Sequence, residues 1–261
     1  MKSLSVSFAQ YDILWEDKNG NFEKLESLMV NYKDSLLATD LLLLPEMFQT
    51  GFSMRNNASL SETMEGPTVH WLKEKALQYD LLIGGSLIIE SQGKYFNRFV
   101  FAYPDGRIAY YDKRHLFCLS KEGEYFEAGN SKTILEYKSW KILPLICYDL
   151  RFPVWSRNTE DYDLLLYTAN FPAKRSYAWT QLLIARAIEN QSYTLGLNRL
   201  GVDGNKLEYN GGSCLFDYEG KPLLQSEDAE GIFTTQISLE AQHTFRASFP
   251  FLADKDAFKL S

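Results

Sequence analysis

Three reactive side chains, Glu46, Lys113 and Cys147, each stand at or just beyond the end of a short apolar run in this 261-residue chain. A cysteine thiol is mostly protonated at neutral pH, so a cysteine nucleophile needs a base. A carboxylate beside it can accept the proton and later pass it to leaving ammonia. A fixed ammonium can stabilise the negative charge of a tetrahedral intermediate. Together these residue types indicate acyl transfer from an amide or a nitrile to cysteine and then to water.

Cys147 follows the apolar run at 142–146, which predicts a buried strand, and Pro153 lies at a plausible helix start. N–H groups at such a strand-to-helix corner favour a thiolate, and the N–H of Tyr148 would support a developing oxyanion. A buried structural cysteine is the alternative interpretation, because free cysteines are often buried. The presence of Glu46 and Lys113 favours the nucleophile.

Two periodicities predict the elements that must position these groups. Strand patterns, with alternating or continuous apolar residues, occupy 4–9, 41–44, 81–89, 96–103, 107–111, 142–146, 163–168, 193–197, 213–217 and 232–237. Helical patterns occupy 20–37, 67–79, a segment from about 153, and 175–190. Strands alternating with helices predict an α/β protein with more than one covered sheet. Active sites of such sheets form at the carboxyl ends of strands, so the three groups could converge.

Finer expectations concern the turns, the helix faces and the tail. A hairpin turn is predicted at 104–106, and a turn at 220–222 is expected between the strands at 213–217 and 232–237. Leu77 and Ile188 are expected to face inward from their helices. Residues 112–131 and 201–212 read as loops, the first of them functional. We expect one domain over 1–261, with a tail at 245–261 that docks on its own body or on a second subunit.

Composition excludes several classes of protein. A net charge of −7 and the lack of a basic stripe argue against a nucleic-acid partner. The longest apolar runs are too short for a membrane span, and the first residues lack a signal-peptide pattern. Three widely spaced cysteines predict no disulfide framework and a cytoplasmic location.

The segments around the three reactive residues resemble those of the nitrilase superfamily of carbon–nitrogen hydrolases. They are Leu44-Pro-Glu-Met47, residues 111–117 around the lysine and residues 146–153 around the cysteine, with further matches at 167–172 and 186–191. The resemblance implies a four-layer αββα sandwich with two mixed sheets covered by helices, assembled as a homodimer or a higher even homo-oligomer. It implies Glu46 as general base, Lys113 as oxyanion stabiliser and Cys147 as nucleophile. We expect no metal or organic cofactor.

Many members of the family carry a second glutamate in the loop after the lysine. Glu122 and Glu124 both lie in the matching loop of this chain. We prefer Glu122 as the carboxylate that orients Lys113 or the substrate, while Glu124 stays open as the alternative.

Within the superfamily, the segments 149–158, 169–175 and 198–205 are similar to the bacterial omega-amidases. That resemblance implies hydrolysis of 2-oxoglutaramate and 2-oxosuccinamate to the 2-oxo dicarboxylate and ammonia through a cysteine thioester. Long-chain nitrilases usually have Trp directly after the cysteine, so Tyr148 weakens a nitrile substrate. N-carbamoyl compounds, deaminated glutathione or another small amide remain alternatives, as does a binding protein without activity.

A substrate with a remote carboxylate predicts a cation in the pocket, since charge-assisted hydrogen bonds bind carboxylates well. Arg175 and its neighbour Lys174 follow a predicted strand end, and Arg151 is a further candidate that could equally be structural. The predicted pocket residues around that cation are Phe48, Phe117, Asn170 and Phe171.

His115 could instead act as the base of a Cys–His dyad, but Glu46 and Lys113 would then lack roles. His115 and Cys118 have metal-like spacing without a second pair, so a zinc site is not expected.

Overall fold

A computed structural model describes residues 3–259 of the chain. Its strands are β1 Ser3–Gln10, β2 Leu41–Leu43, β3 Leu82–Ser91, β4 Lys94–Ala102, β5 Ile108–Asp112, β6 Leu135–Tyr137, β7 Trp140–Ile146, β8 Leu164–Ala169, β9 Tyr193–Asn198, β10 Leu200–Val202, β11 Glu208–Asn210, β12 Cys214–Phe216, β13 Pro222–Gln225 and β14 Gly231–Ser238. Its α-helices are α1 Lys18–Asn31, α2 Lys33–Leu37, α3 Asn57–Leu60, α4 Pro67–Tyr79, α5 Pro153–Ser156, α6 Ser176–Asn190 and α7 Leu239–Ser248.

Twelve of the strands form two six-stranded mixed sheets, with orders β14-β1-β2-β3-β4-β5 and β13-β12-β9-β8-β7-β6. Each sheet has a parallel centre, β1-β2-β3 in the first and β7-β8-β9 in the second. Antiparallel strands complete both sheets at their edges. Parallel centres require buried faces on both sides, which explains the continuous apolar sequences of these strands.

The two faces of β2 show how the layers are arranged. Leu41 and Leu43 pack into the core between the sheets, whereas Leu42 and Leu44 pack beneath the helices that cover the first sheet. Successive side chains of a strand point to opposite faces, so four leucines in a row serve both layers. Helix α6 covers the second sheet, with Trp179 buried against that core. The predicted four-layer αββα sandwich is confirmed.

The same topology brings the reactive positions to one edge. Strand β4 runs antiparallel to β3, and β5 runs antiparallel to β4. Strand β5 is therefore parallel to β3 and ends at the same edge of the sheet as β2. Thr168, near the end of β8, donates a hydrogen bond from its hydroxyl to the carbonyl of Leu44 over 3.0 Å. This bond joins the two sheets at the edge where Glu46, Lys113 and Cys147 follow their strands.

Four expectations about the elements were wrong. The turn near residue 220 joins β12 to β13, and the strand at 232–237 instead pairs with β1 in the first sheet. The helix predicted from about residue 153 is present as the four-residue α5, whereas residues 201–212, expected as a loop, contain β11 and the end of β10, which pair with each other. Leu77 and Ile188 are 72% and 51% exposed, because each lies on the outer side of its helix. An apolar residue beside the core-facing stripe is not always inside it.

The C-terminal region begins with helix α7, which runs across the predicted start of the tail at residue 245. Phe249 and Phe251 beyond it are 48% and 62% exposed. The ends of the predicted 1–261 domain, residues 1–2 and 260–261, lie outside the described residues, and docking of the tail stays a prediction. Within residues 3–259, no helix combines the length and apolar character needed to cross a membrane.

Candidate active site

Lys113 lies between two buried carboxylates. Its Nζ is 3.1 Å from Oε1 of Glu46 and 3.0 Å from both carboxylate oxygens of Glu122. All three side chains are at most 1% exposed. Glu124, by contrast, is exposed and pairs with Lys121 at the surface. Of the two loop glutamates, Glu122 is therefore the one that contacts Lys113.

Two asparagines fix the carboxylate of Glu46. Asn97 on β4 donates from Nδ2 to Oε1 over 2.8 Å, and the backbone N–H of Asn170 donates to Oε2 over 2.7 Å. The side chain of Asn170 also donates to the Glu46 backbone carbonyl. The orientation of Asn97 is set by Ser86, whose hydroxyl donates to Asn97 Oδ1 over 2.8 Å. Both oxygens of Glu46 are thus held by donors before any substrate binds.

Cys147 stands on a sharp corner between β7 and a 3₁₀ turn, residues Cys147–Arg151. Its φ of 43° lies in the left-handed region, which is uncommon for a residue with a side chain and recurs at functional sites. Helix α5, which begins at Pro153 as predicted, follows this turn. Tyr148 is its second residue, and the first N–H groups of a helical turn have no partner inside it.

The ionisation of the site follows from burial and neighbouring charge. Burial, reinforced by the charge of Glu46 and opposed by Lys113, raises the pKa of the Cys147 thiol well above its usual value. Burial alone would lower the pKa of Lys113, but the carboxylates of Glu122 and Glu46 raise it above the ordinary value. Burial also raises the pKa of Glu122, although Lys113 opposes that effect. The thiol is therefore protonated and the amine charged at neutral pH.

A cavity of about 530 Å³ opens onto these groups, and Glu46, Lys113 and Cys147 all line it. Cys147 Sγ lies 3.9 Å from the carbonyl oxygen of Asn170, whose own N–H holds Glu46. The structure therefore brings together the three residues that the sequence places far apart.

Most of the predicted pocket residues lie in the cavity wall. Those that line it are Phe117, Tyr148, Asn170, Phe171 and Arg175. The prediction for Phe48 was wrong: its ring is fully buried between β3 and α4 and packs against Trp71. Phe48 follows Glu46 by two residues, but the left-handed backbone of Met47 intervenes and Phe48 joins the helix-facing core.

The two adjacent cations after β8 separate in the structure. Arg175 enters the cavity, where its guanidinium lies 4.9 Å from the ring centre of Phe117 and 5.7 Å from that of Phe171. Lys174 is exposed and does not line the cavity. Arg151, considered as a possible buried structural arginine, is instead exposed at the cavity wall.

Sequence reasoning missed several residues. Asn97 and Ser86 support Glu46, distant loops add Trp15 and Phe52 to the cavity wall, and β11 adds Tyr209. Asn97 could have been noticed, because asparagine is uncommon in an apolar strand. The distant loops carry no comparable signal, since only the tertiary fold brings them to the cavity.

His115 does not act on the thiol. Its Nδ1 lies 2.7 Å from Oδ1 of Asp149, and its ring stacks on Phe152 with 3.7 Å between ring centres. Among the described residues, no hydrogen bond joins the His115 ring to Cys147 Sγ, which instead contacts the Asn170 carbonyl, and His115 does not line the cavity, so the Cys–His dyad is not formed. Across the described part of the chain, no group of three or more His, Cys, Asp or Glu side chains has the arrangement of a metal site.

A family model for carbon–nitrogen hydrolases matches residues 5–247. The match covers most of the chain, and the chain belongs to this family. It is thus a hydrolase of carbon–nitrogen bonds, as the resemblance in its motifs implies.

The chain is also similar to individual members of this family. The chain is 41% identical to the omega-amidase YafV of Yersinia enterocolitica over the full length of both chains. It is 33% identical to a 2-oxoglutaramate amidase of Bacillus subtilis, with 96% of each chain covered. A carbon–nitrogen hydrolase superfamily protein from Xanthomonas campestris, crystallised with an arsenic adduct in its active site, matches with a TM-score of 0.95 and 41% identity over all of both chains. The predicted resemblance to omega-amidases is confirmed.

The contrast between Glu122 and Glu124 gives a first prediction. We expect Glu122→Gln to lower the free energy of unfolding by about 3 kcal/mol, since it removes one charge of a buried ion cluster. It should also lower kcat at least about tenfold, because Lys113 loses the carboxylate that contacts its ammonium through both oxygens. Urea unfolding and steady-state ammonia release measure both effects.

Glu124→Gln is the matched control, and its stability should change by no more than about 0.5 kcal/mol. Equal effects of the two substitutions would contradict a special role for Glu122.

Proposed function

We propose that this protein is an omega-amidase that hydrolyses the terminal amide of 2-oxo acid amides such as 2-oxoglutaramate and 2-oxosuccinamate. The observation that carries the proposal is the combination of groups that line one cavity: Cys147, Glu46 and Lys113 together with Arg175 and Arg151. Among the described residues, neither arginine has a carboxylate partner. An amide with a remote carboxylate complements a cavity that holds both the reactive groups and the guanidiniums of these two arginines.

In the first half of the reaction, Sγ of Cys147 attacks the amide carbon while Glu46 takes the thiol proton. The raised pKa of the thiol makes this base necessary, since little thiolate exists beforehand. The carbonyl oxygen becomes an oxyanion, stabilised by the ammonium of Lys113 and the backbone N–H of Tyr148. The carbon–nitrogen bond then breaks, Glu46 returns the proton to nitrogen, and ammonia leaves a thioester on Cys147.

In the second half, a water molecule attacks the thioester carbon, and Glu46 accepts its proton. The same donors stabilise the second oxyanion, and its collapse breaks the carbon–sulfur bond. The proton on Glu46 passes to the sulfur, which releases the 2-oxo dicarboxylate and regenerates the thiol. Because Glu46 acts as base and then as acid in each half of the reaction, its fixed position matters at every step.

The substrate is tested by ammonia release from 2-oxoglutaramate, 2-oxosuccinamate, N-carbamoyl amino acids, deaminated glutathione and a simple nitrile. We expect the 2-oxo acid amides to have the highest kcat/KM. Cys147→Ala should abolish turnover without a change in the unfolding midpoint, because it removes the nucleophile alone. With the wild type, mass spectrometry should find the acyl group on the Cys147 peptide.

Preference for a carbamoyl compound would replace the proposed substrate but keep the thiol mechanism. Full activity of Cys147→Ala, or an acyl group on another peptide, would exclude the mechanism itself.

Arg175 is proposed to bind the remote carboxylate. Loss of one charge-assisted hydrogen-bonding partner costs about 1.5–3 kcal/mol, so Arg175→Ala should lower kcat/KM for 2-oxoglutaramate about 10–100-fold. The uncharged amide butyramide should lose less than about threefold. Steady-state kinetics with both substrates gives the comparison.

Lys174→Ala is the matched control, because this neighbouring cation does not line the cavity. An equal loss for butyramide in Arg175→Ala, or a carboxylate-specific loss only in Arg151→Ala, would refute the assignment to Arg175.

We further propose a cytoplasmic homodimer. Its three cysteines are free thiols, which favours a reducing compartment. Tyr177 and Ile188 on α6 are 80% and 51% exposed, and together with Phe251 they offer apolar surface for a second copy. Sedimentation equilibrium should give twice the subunit mass at micromolar concentration, and cell fractionation should find the protein in the cytosol. A stable monomer, or recovery outside the cytosol, would oppose the corresponding part of this proposal.

A further inference from the structure

Asp149 is a buried carboxylate that no step of the proposed reaction uses. Its side chain is fully buried. Its two oxygens lie within hydrogen-bonding distance of four atoms from three residues. Oδ2 accepts from the backbone N–H of Ile146 over 3.0 Å and from the hydroxyl of Tyr111 over 2.8 Å. Oδ1 accepts from the backbone N–H of His115 over 2.9 Å and lies 2.7 Å from its Nδ1.

The partners of Asp149 lie close in sequence to Lys113 and Cys147. Tyr111 and His115 stand two residues before and two residues after Lys113, while Ile146 directly precedes Cys147. One carboxylate therefore joins the segment that carries the ammonium, beyond β5 of the first sheet, to the corner that carries the thiol, beyond β7 of the second. The ends of the two sheets are held together beside the reacting groups.

We propose that Asp149 is a positioning residue, which fixes the ammonium of Lys113 relative to the thiol of Cys147. The inference rests on the proposed function, because it assumes that Lys113 stabilises an oxyanion formed at the carbon that Cys147 attacks. Rate depends steeply on such geometry: a misplacement of about 1 Å can cost about 100-fold.

The nucleophile's backbone gives the positioning a second purpose. A left-handed φ on a residue with a side chain persists only where its surroundings hold it. The bond from Ile146 to Asp149 holds the turn directly before Cys147. On the far side, buried Arg186 of α6 donates from Nη2 to the carbonyl of Leu150 over 2.7 Å. The corner is thus fixed on both sides of the sulfur.

The hydrogen bonds of Tyr111 show why a carboxylate is needed. Its hydroxyl oxygen already accepts from Nε1 of Trp155 over 3.0 Å and from the backbone N–H of Arg114 over 3.1 Å. Its proton must therefore go to Asp149. With the N–H groups of Ile146 and His115 also donating, the site needs acceptors at both oxygens. An amide of the same shape turns an NH₂ group toward a donor whichever way it is placed.

The first experiment is Asp149→Asn, made with Cys118→Ser because Cys118 is exposed and would also react with thiol reagents. Cys147 is titrated with iodoacetamide, and the rate of acylation by p-nitrophenyl acetate is expressed per titrated thiol. We expect a fall of about 100-fold per site, with KM for 2-oxoglutaramate changed less than about threefold. An unchanged rate per titrated thiol would show that Asp149 affects only the folded fraction, and would overturn the proposal.

The ester has no remote carboxylate, so this measurement tests Asp149 whatever amide the wild type prefers. Failure of the wild type on 2-oxoglutaramate with normal acylation by the ester would refute the substrate and leave the positioning role standing.

A second pair of variants avoids the buried site. His115 is 22% exposed, and both His115→Asn and His115→Leu lose the stacking on Phe152. Only the asparagine keeps an N–H donor near the position of Nδ1. We expect His115→Asn to stay within about threefold of the wild-type acylation rate per thiol and His115→Leu to fall about tenfold. Equal rates for the two variants would contradict a positioning role for this contact.

Discussion

The ammonium of Lys113, held between the carboxylates of Glu46 and Glu122, is the interaction on which the rest of the structure depends. Two buried carboxylates repel each other and lose their hydration, so the site exists only if a cation lies between them. Each carboxylate needs further donors, and Asn97, the Asn170 N–H and the Phe117 N–H supply them. These donors come from both sheets and the connecting loop. The ion cluster is therefore complete only when the whole sandwich has formed.

The proposed reacting groups and the rest of the cavity wall are therefore carried by different kinds of structure. Glu46, Lys113 and Cys147 follow rigid strands, where backbone hydrogen bonds and packing restrict movement to small distances. Much of the cavity wall comes from loops, including those that carry Trp15 and Phe52. Loops tolerate sequence change better than strands do. One set of reacting groups can thus serve different amides, and we propose that cavity-wall residues such as Arg175 select among them.

Some features were predictable because they are local. The strand at 41–44 and the helix at 67–79 follow from apolar periodicity and from Pro67 at a helix start. The pairing of the strand at 232–237 was not predictable, since its partner β1 lies more than 200 residues earlier. Nearness along the chain favoured pairing with the strand at 213–217, whereas burial within the first sheet decided the pairing with β1. Phe48 was misplaced for a related reason: one left-handed residue, Met47, turned its ring from the cavity to the core.

The amino-acid sequence alone predicted the chemistry: a thiol, a carboxylate and an ammonium, each just after a strand, within motifs that resemble one hydrolase family. It could do so because residue type and local spacing are properties of short segments. Packing of the folded chain was needed to establish which glutamate reaches Lys113, which of two adjacent cations enters the cavity, and that Asp149 joins the two sheets. Those outcomes depend on distances of about 3 Å between segments far apart in the chain, and such distances arise from packing.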